Sequence, residues 1–172
     1  ANWQGYDGIP ARIVEHLEYS AVTLVLAALI GIPLGLWIGH TGRGRVLLVN
    51  LVNGMRSVPT LGLLFVAVLV VGPLLAGDIA FLVPSIFVLV VLAIPPIMAG
   101  AYAGVEGVDP GARDAARGMG MRPAEVLFRV EVPCALPLLF GGLRSAALQV
   151  VATATLAASV SLGGLGRFLI DG

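Results

Sequence analysis

The 172-residue chain offers few side chains able to do chemistry, and their spacing narrows what that chemistry is. Ser145, Gln149 and Thr153 recur at four-residue intervals in a run of alanine, leucine and valine. Thr155 and Ser159 follow on a neighbouring helical face. Hydroxyls and an amide in one stripe can pass hydrogen bonds along to a small zwitterion moving between helices. The same residue types between alanines also join membrane helices to each other, and the stripe fits both readings. Arg144 lies in the same apolar run, where a charge is costly and functional by default. Its candidate partners are Glu106 and Glu131; the alternative is a side chain snorkelling to the cytosolic surface. Asn53, Arg56, Ser57 and Thr60 flank Pro59 and are candidate gate residues.

Other chemistries are excluded. The chain has no HExxH, no GxSxG and no pair of intramembrane aspartates, so no catalytic residue is expected. Cys134 is the single cysteine, which rules out an internal disulfide and a multi-cysteine metal site; it reads as a small core residue. His16 and His40 fall at opposite ends of one apolar run and cannot share a metal, and His40 reads as an interfacial residue. All ten basic residues are arginine. A phosphate-binding loop needs a lysine, so any ATP must be held by another chain. The net charge is zero, which leaves no basic footprint for nucleic acid.

The elements that position these residues are oily. The chain is 58% hydrophobic and only 12% charged, with a mean hydropathy of +1.00. A soluble domain carries about 25% charged residues, so an integral membrane protein is expected. A helix needs roughly 20 apolar residues to cross the hydrocarbon core. Four stretches qualify: 19–40, 57–71, 79–105 and 136–162, the second being short unless it begins near Val46. Residues 1–18 are expected to form an extracytoplasmic interfacial segment, with Trp3, Tyr6 and Tyr19 at the membrane surface. No repeat and no linker is visible, so 19–172 reads as one membrane domain.

Arginine placement sets the orientation. Arg43, Arg45 and Arg56 lie between spans one and two, and Arg113, Arg117, Arg122 and Arg129 between spans three and four. Only Arg12 and Arg167 fall on the other side. The positive-inside rule puts the two arginine-bearing loops in the cytoplasm. Prolines interrupt the spans at Pro33, Pro59, Pro95, Pro96, Pro133 and Pro137. Each frees a carbonyl that protein or a water-lined cavity must satisfy, which fits both simple helix fitting and moving parts.

Between spans three and four runs "GVDPGARDAARGMGMRPAEVLFRVEVP". Asp109 is a good N-cap and Pro110 suits the first helical position. The helix should run through Ala112 to Arg117 and end at Gly118 and Gly120, around Met119. After Met121, Pro123 can open a second helix, supported by a Glu125–Arg129 pair and stopped by Pro133. Two short helices joined by a glycine elbow are therefore expected at about 109–132. Ala115 and Ala116 leave a smooth ridge with Arg113 and Arg117 on one face. That suits docking into a partner's groove with arginines at the rim, and equally a helix lying on lipid headgroups.

Asp114-Ala115-Ala116, three residues, Gly120, nine residues, Val130, one residue, Val132-Pro133 resembles the "EAA" motif of ABC importer permeases. That motif reads Glu-Ala-Ala, three residues, Gly, nine residues, Ile-x-Leu-Pro. Asp for Glu and valines for Ile and Leu are the departures. "NGMRSVPTLGLL", "VEVPCALPLLFGGLRSA" and "ATATLAASVSLGGLG" are similar to permeases for glycine betaine, choline, carnitine and related osmoprotectants, with methionine importers as near relatives. The resemblance implies an all-α polytopic bundle, the type I permease core, with four spans here and a fifth beyond the glycine-rich loop missing. It implies that Asp109, Arg113–Arg117 and Gly118–Met121 form the coupling helix held by a separate ATPase subunit. ATP and magnesium would sit in that partner and no cofactor in this chain. Further implied partners are a second permease subunit, identical or not, an extracytoplasmic substrate-binding protein and the lipid of a bacterial inner membrane. Aromatics are few and unclustered within the spans, so no cation–π cage for a quaternary ammonium is expected here. Selection then falls to the binding protein.

Overall fold

The computed structural model describes residues 8–77, 79–160 and 163–170, leaving aside the side chains of Arg56 and Ile170. Trp3 and Tyr6 lie outside the described residues, as do the ends of the span expected to close at Leu162. Every element among the described residues is helical. In chain order these are α1 (Ile9–Thr41), α2 (Arg45–Ser57), α3 (Thr60–Val71), α4 (Ile79–Glu106), α5 (Pro110–Gly118), α6 (Pro123–Val126), α7 (Val132–Ala157) and α8 (Arg167–Ile170). Short 3₁₀ turns follow α3 and α7, and a π turn, Leu127–Glu131, joins α6 to α7.

Three helical runs are long and apolar enough to cross a membrane: Ile9–Thr41, Ile79–Glu106 and Pro123–Val160. The α2–α3 pair makes a fourth if it counts as one broken span. The break is at Pro59, whose backbone is extended at φ −69° and ψ 114°. The other prolines do not interrupt their helices, and α1 and α4 run on through Pro33 and through Pro95 and Pro96. Helix α1 also begins ten residues before Tyr19, so much of the expected interfacial segment is helix. At its far end the Thr41 hydroxyl donates to the Trp37 carbonyl at 2.7 Å, and Gly42 turns left-handed at φ +69°.

Pro133 is not a stop, which corrects the expected second short helix. Its missing N–H falls at the start of α7, directly after the π turn, where Val132 N–H reaches back to the Leu127 carbonyl. The wide turn makes room for the ring, and the helix continues. Glu125 turns back to accept from the Arg122 backbone N–H at 2.9 Å, a first-turn cap rather than a pair with Arg129. Cys134 is exposed, not core.

Packing sorts the chain into two compact units. Unit 1 comprises Ala1–Ala27, Arg56–Ala93 and Ala147–Gly172; unit 2 comprises Ala28–Met55 and Ile94–Ala146. In unit 2 the backbones of α1, α4 and α7 approach closely at their glycines. A Cβ on Gly35 would stand 2.6 Å from the Met98 carbonyl oxygen, and one on Gly100 would stand 2.7 Å from that of Leu138. Small residues four apart permit this close packing, which in lipid replaces the hydrophobic drive. Leu36, Ala101, Val105, Ala135 and Leu139 form its core.

Unit 1 holds the Glu15 carboxylate at the start of α1 against the glycine-rich loop. It accepts from Arg12 Nη1 at 2.7 Å, Tyr19 Oη at 2.9 Å and the Gly164 backbone N–H at 2.8 Å. Gly164 has φ +82°, a conformation open to glycine at little cost. The next residue of α1, His16, is buried, with Nε2 3.1 Å from the Val151 carbonyl.

Candidate functional site

The site grows from one helix, α5. Asp109 accepts from the Gly111 backbone N–H at 2.8 Å, and Pro110 takes the first position, where no donor is needed. The other end closes in a Schellman turn. Met121 N–H returns to the Ala116 carbonyl at 3.2 Å and Gly120 N–H to that of Arg117 at 2.9 Å, with Gly120 at φ +84°. Start, stop and elbow stand where the sequence placed them.

The two faces of α5 differ. Ala116 is buried, and Arg113 turns inward. Ala115, Asp114, Arg117, Gly118 and Met119 are exposed, Met119 at 72%. Arg117 reaches Asp114, 3.4 Å away on the same helix. The expectation that Arg113 and Arg117 form one outer rim, with both alanines as its ridge, is corrected. Arg113 anchors the helix, Ala116 packs beneath it, and Ala115 alone carries the small exposed ridge.

Arg113 is anchored by Glu131, which sits in the π turn with its side chain 1% exposed. Arg113 Nε lies 2.9 Å from Glu131 Oε1, an ion contact off hydrogen-bond alignment, and its Nη2 donates to the Val105 carbonyl. The second carboxylate oxygen meets His40 Nδ1 at 2.6 Å. A buried carboxylate must be paired and hydrogen-bonded to persist, and here two other elements supply the partners. His40 is thus part of this cluster rather than merely interfacial. Nearby on α2 and α4, Arg45 and Glu106 pair at 2.9 Å, more exposed and worth correspondingly little. Both glutamates proposed for Arg144 therefore have other cations. Arg144 itself is exposed, which fits the snorkelling alternative rather than a buried pair with either glutamate.

The polar stripe divides. Gln149 Nε2 donates to the Leu92 carbonyl at 3.2 Å. Thr155 and Ser159 bond back to the carbonyls of Val151 and Leu156 on their own helix, and Thr153 is buried. Four of the stripe's polar groups are thus accounted for by packing and local bonds, with Ser145 exposed. Of the gate candidates, Asn53 lines a groove of about 300 Å³ in unit 2 with Leu48, Val52, Ala99 and Tyr102. In unit 1, Ser57 and Pro59 are exposed and Thr60 is half-buried, while the Arg56 side chain lies outside the described residues. Among the described residues no group of three acidic, histidine or cysteine side chains could hold a metal.

Sequence reading missed Glu131 and His40 as partners. The signal was present in a glutamate set between two valines, two residues before Pro133, but which cation reaches it depends on tertiary packing. It also missed the glycines four apart at Gly31, Gly35 and Gly39 in α1, a pattern visible in the sequence.

Comparison with known proteins agrees with this architecture. The chain is 31% identical over 163 residues to the choline transport system permease protein OpuBB of Bacillus subtilis, covering 94% of this chain and 71% of that protein. It is also 31% identical over 160 residues to the glycine betaine/carnitine/choline transport system permease protein OpuCB of the same organism, covering 92% and 70%. Among solved structures it resembles a chain of the inward-facing MetNI methionine ABC transporter. That likeness has a TM-score of 0.78 at 24% identity and covers 93% of this chain and 77% of that one, which establishes the fold. A family model described as "Binding-protein-dependent transport system inner membrane component" matches residues 31–172. With its long apolar helices and a type I permease fold, the chain belongs to this family of inner-membrane transport components, and it is a transport subunit rather than an enzyme.

Proposed function

We propose that this chain is the permease subunit of an ATP-binding-cassette importer carrying a small osmoprotectant into the cell, glycine betaine, choline or carnitine being the class. Helix α5 docks a separate ATPase subunit, which holds the ATP and magnesium. A second permease subunit completes the pathway, and an extracytoplasmic binding protein delivers the solute. The carrying observation is the two-sidedness of α5, tied inward through Arg113 and Ala116 and presenting Asp114, Ala115, Arg117 and Met119 outward. A surface helix with no partner would bury its apolar face and expose its charges; here one arginine is half-buried against Glu131 and a methionine is bare. The arginine-rich loops favour a cytosolic position for that face. The named relatives point to the solute class.

The test is uptake into proteoliposomes holding the permease, its ATPase and its binding protein, with labelled glycine betaine, choline, carnitine and methionine as parallel substrates. Uptake of an osmoprotectant that stops when the ATPase is inactivated is the expected result. Uptake of methionine alone would overturn the solute class. Uptake that continues with an inactive ATPase would make the chain a passive channel.

A further inference from the structure

Glu131 is the most deeply buried charge described in unit 2, and its partners come from widely separated parts of the chain. His40 lies at the end of α1, and Arg113 lies on α5. Arg113 in turn donates to the Val105 carbonyl near the end of α4, and Glu131 itself stands at the foot of α7. One carboxylate thus gathers four elements. The π turn contributes to this geometry: its extra residue rotates the following face by about 100° relative to an uninterrupted α-helix. Turns of this kind occur often at functional sites. Few of α5's other residues hold it inward; Ala116 is a methyl group, and the elbow beyond is glycine.

We infer that Glu131 is the positioning residue of the coupling joint, the group that locks α5 to the ends of α1, α4 and α7 so that displacement of α5 moves all three together. The role rests on the reading that α5 docks an ATPase, but the lock itself is a property of this chain. With the carboxylate neutralised, Arg113 loses its counter-charge, and α5 pivots on its glycine elbow. The assembled importer then hydrolyses ATP while the spans stay still.

The lock and the docking are separable by experiment. Nitroxide labels at Thr41→Cys and Ala112→Cys, both exposed positions, in a Cys134→Ser background, report the α1–α5 distance by electron paramagnetic resonance. In the intact complex, Glu131→Gln should at least double the width of that distribution. It should also cut uptake of labelled glycine betaine per ATP hydrolysed about tenfold or more, with ATP hydrolysis retained. Glu131→Asp should restore part of both, since charge rather than bulk is at issue. An unchanged distribution, or reduced yield with a normal uptake-to-ATP ratio, overturns the positioning role and leaves Glu131 a structural group. If Glu131→Gln does not accumulate in the membrane, His40→Gln carries the same pair of measurements, and an unchanged distribution and ratio there overturn the lock. Broadening of the distribution in a permease that never captures the ATPase keeps the lock and sinks the docking reading instead.

Discussion

The Gln149 side-chain amide donates at 3.2 Å to the Leu92 carbonyl, the acceptor that Pro96 leaves without its helical donor four residues on. A carbonyl stranded in an apolar span needs a replacement partner, and a residue from α7 supplies it. Gln149→Leu should therefore destabilise the protein by about 1 kcal/mol, seen as a lower unfolding midpoint in detergent. Adding Pro96→Ala restores a backbone donor to Leu92 and should recover most of the loss. A double variant no better than Gln149→Leu alone would refute this account of the proline.

Gly35 and Gly54 make a matched pair. A side chain at Gly35 would meet the Met98 carbonyl oxygen at 2.6 Å, whereas nothing lies within 4 Å of one at Gly54. Gly35→Val should cost about 3 kcal/mol and lower the yield of folded protein. Gly54→Ala should leave it unchanged, with size-exclusion profiles as the readout.

The elbow at Gly120 combines φ +84° with a backbone N–H donated to the Arg117 carbonyl. Gly120→Ala should cost about 1–2 kcal/mol locally. Gly120→Pro removes the donor as well, and should abolish uptake while the protein still inserts. ATP-dependent uptake at the normal rate by Gly120→Pro would count against the joint.

Faces of α5 can be read by labelling. In a Cys134→Ser background, Ala115→Cys should react with a membrane-impermeant maleimide in inside-out vesicles and be shielded when the ATPase binds. Ala116→Cys, at a 1% exposed position, should react slowly in both states. Equal labelling of the two would show that the helix is not held as described, and labelling from the outer side would reverse the orientation.

At the start of α1, Glu15→Gln removes the charge that holds Arg12, Tyr19 and the Gly164 N–H together. Hydrogen exchange at the Gly164 amide should quicken about tenfold, and unchanged exchange would mean that the loop is held by its own turns.

How much of this was legible depended on the range of the interaction. The N-cap at Asp109, the first-position Pro110 and the left-handed Gly120 are settled by neighbours in sequence, and each stands where local rules place it. Pro133 defeats the same rules because a π turn, which no local preference specifies, absorbs the ring. Arg113 and Arg117 share a face by spacing alone, yet they part company because Glu131 sits only beneath the first. For Arg144 the sequence leaves open a glutamate partner or a snorkelling side chain, and only the fold shows that both glutamates are claimed by His40, Arg113 and Arg45. Partner choice among charges is decided by long-range packing, and an isolated sequence carries no record of it.

At three glycines in unit 2 the backbones of α1, α4 and α7 meet with no flexible side chain as a cushion. A carbonyl oxygen faces bare Cα atoms at Gly35, Gly100 and Gly142, so a slip of a single ångström drives hard atoms together. Any side chain larger than hydrogen at these three positions would wedge the helices apart, so the seam is closed to substitution there.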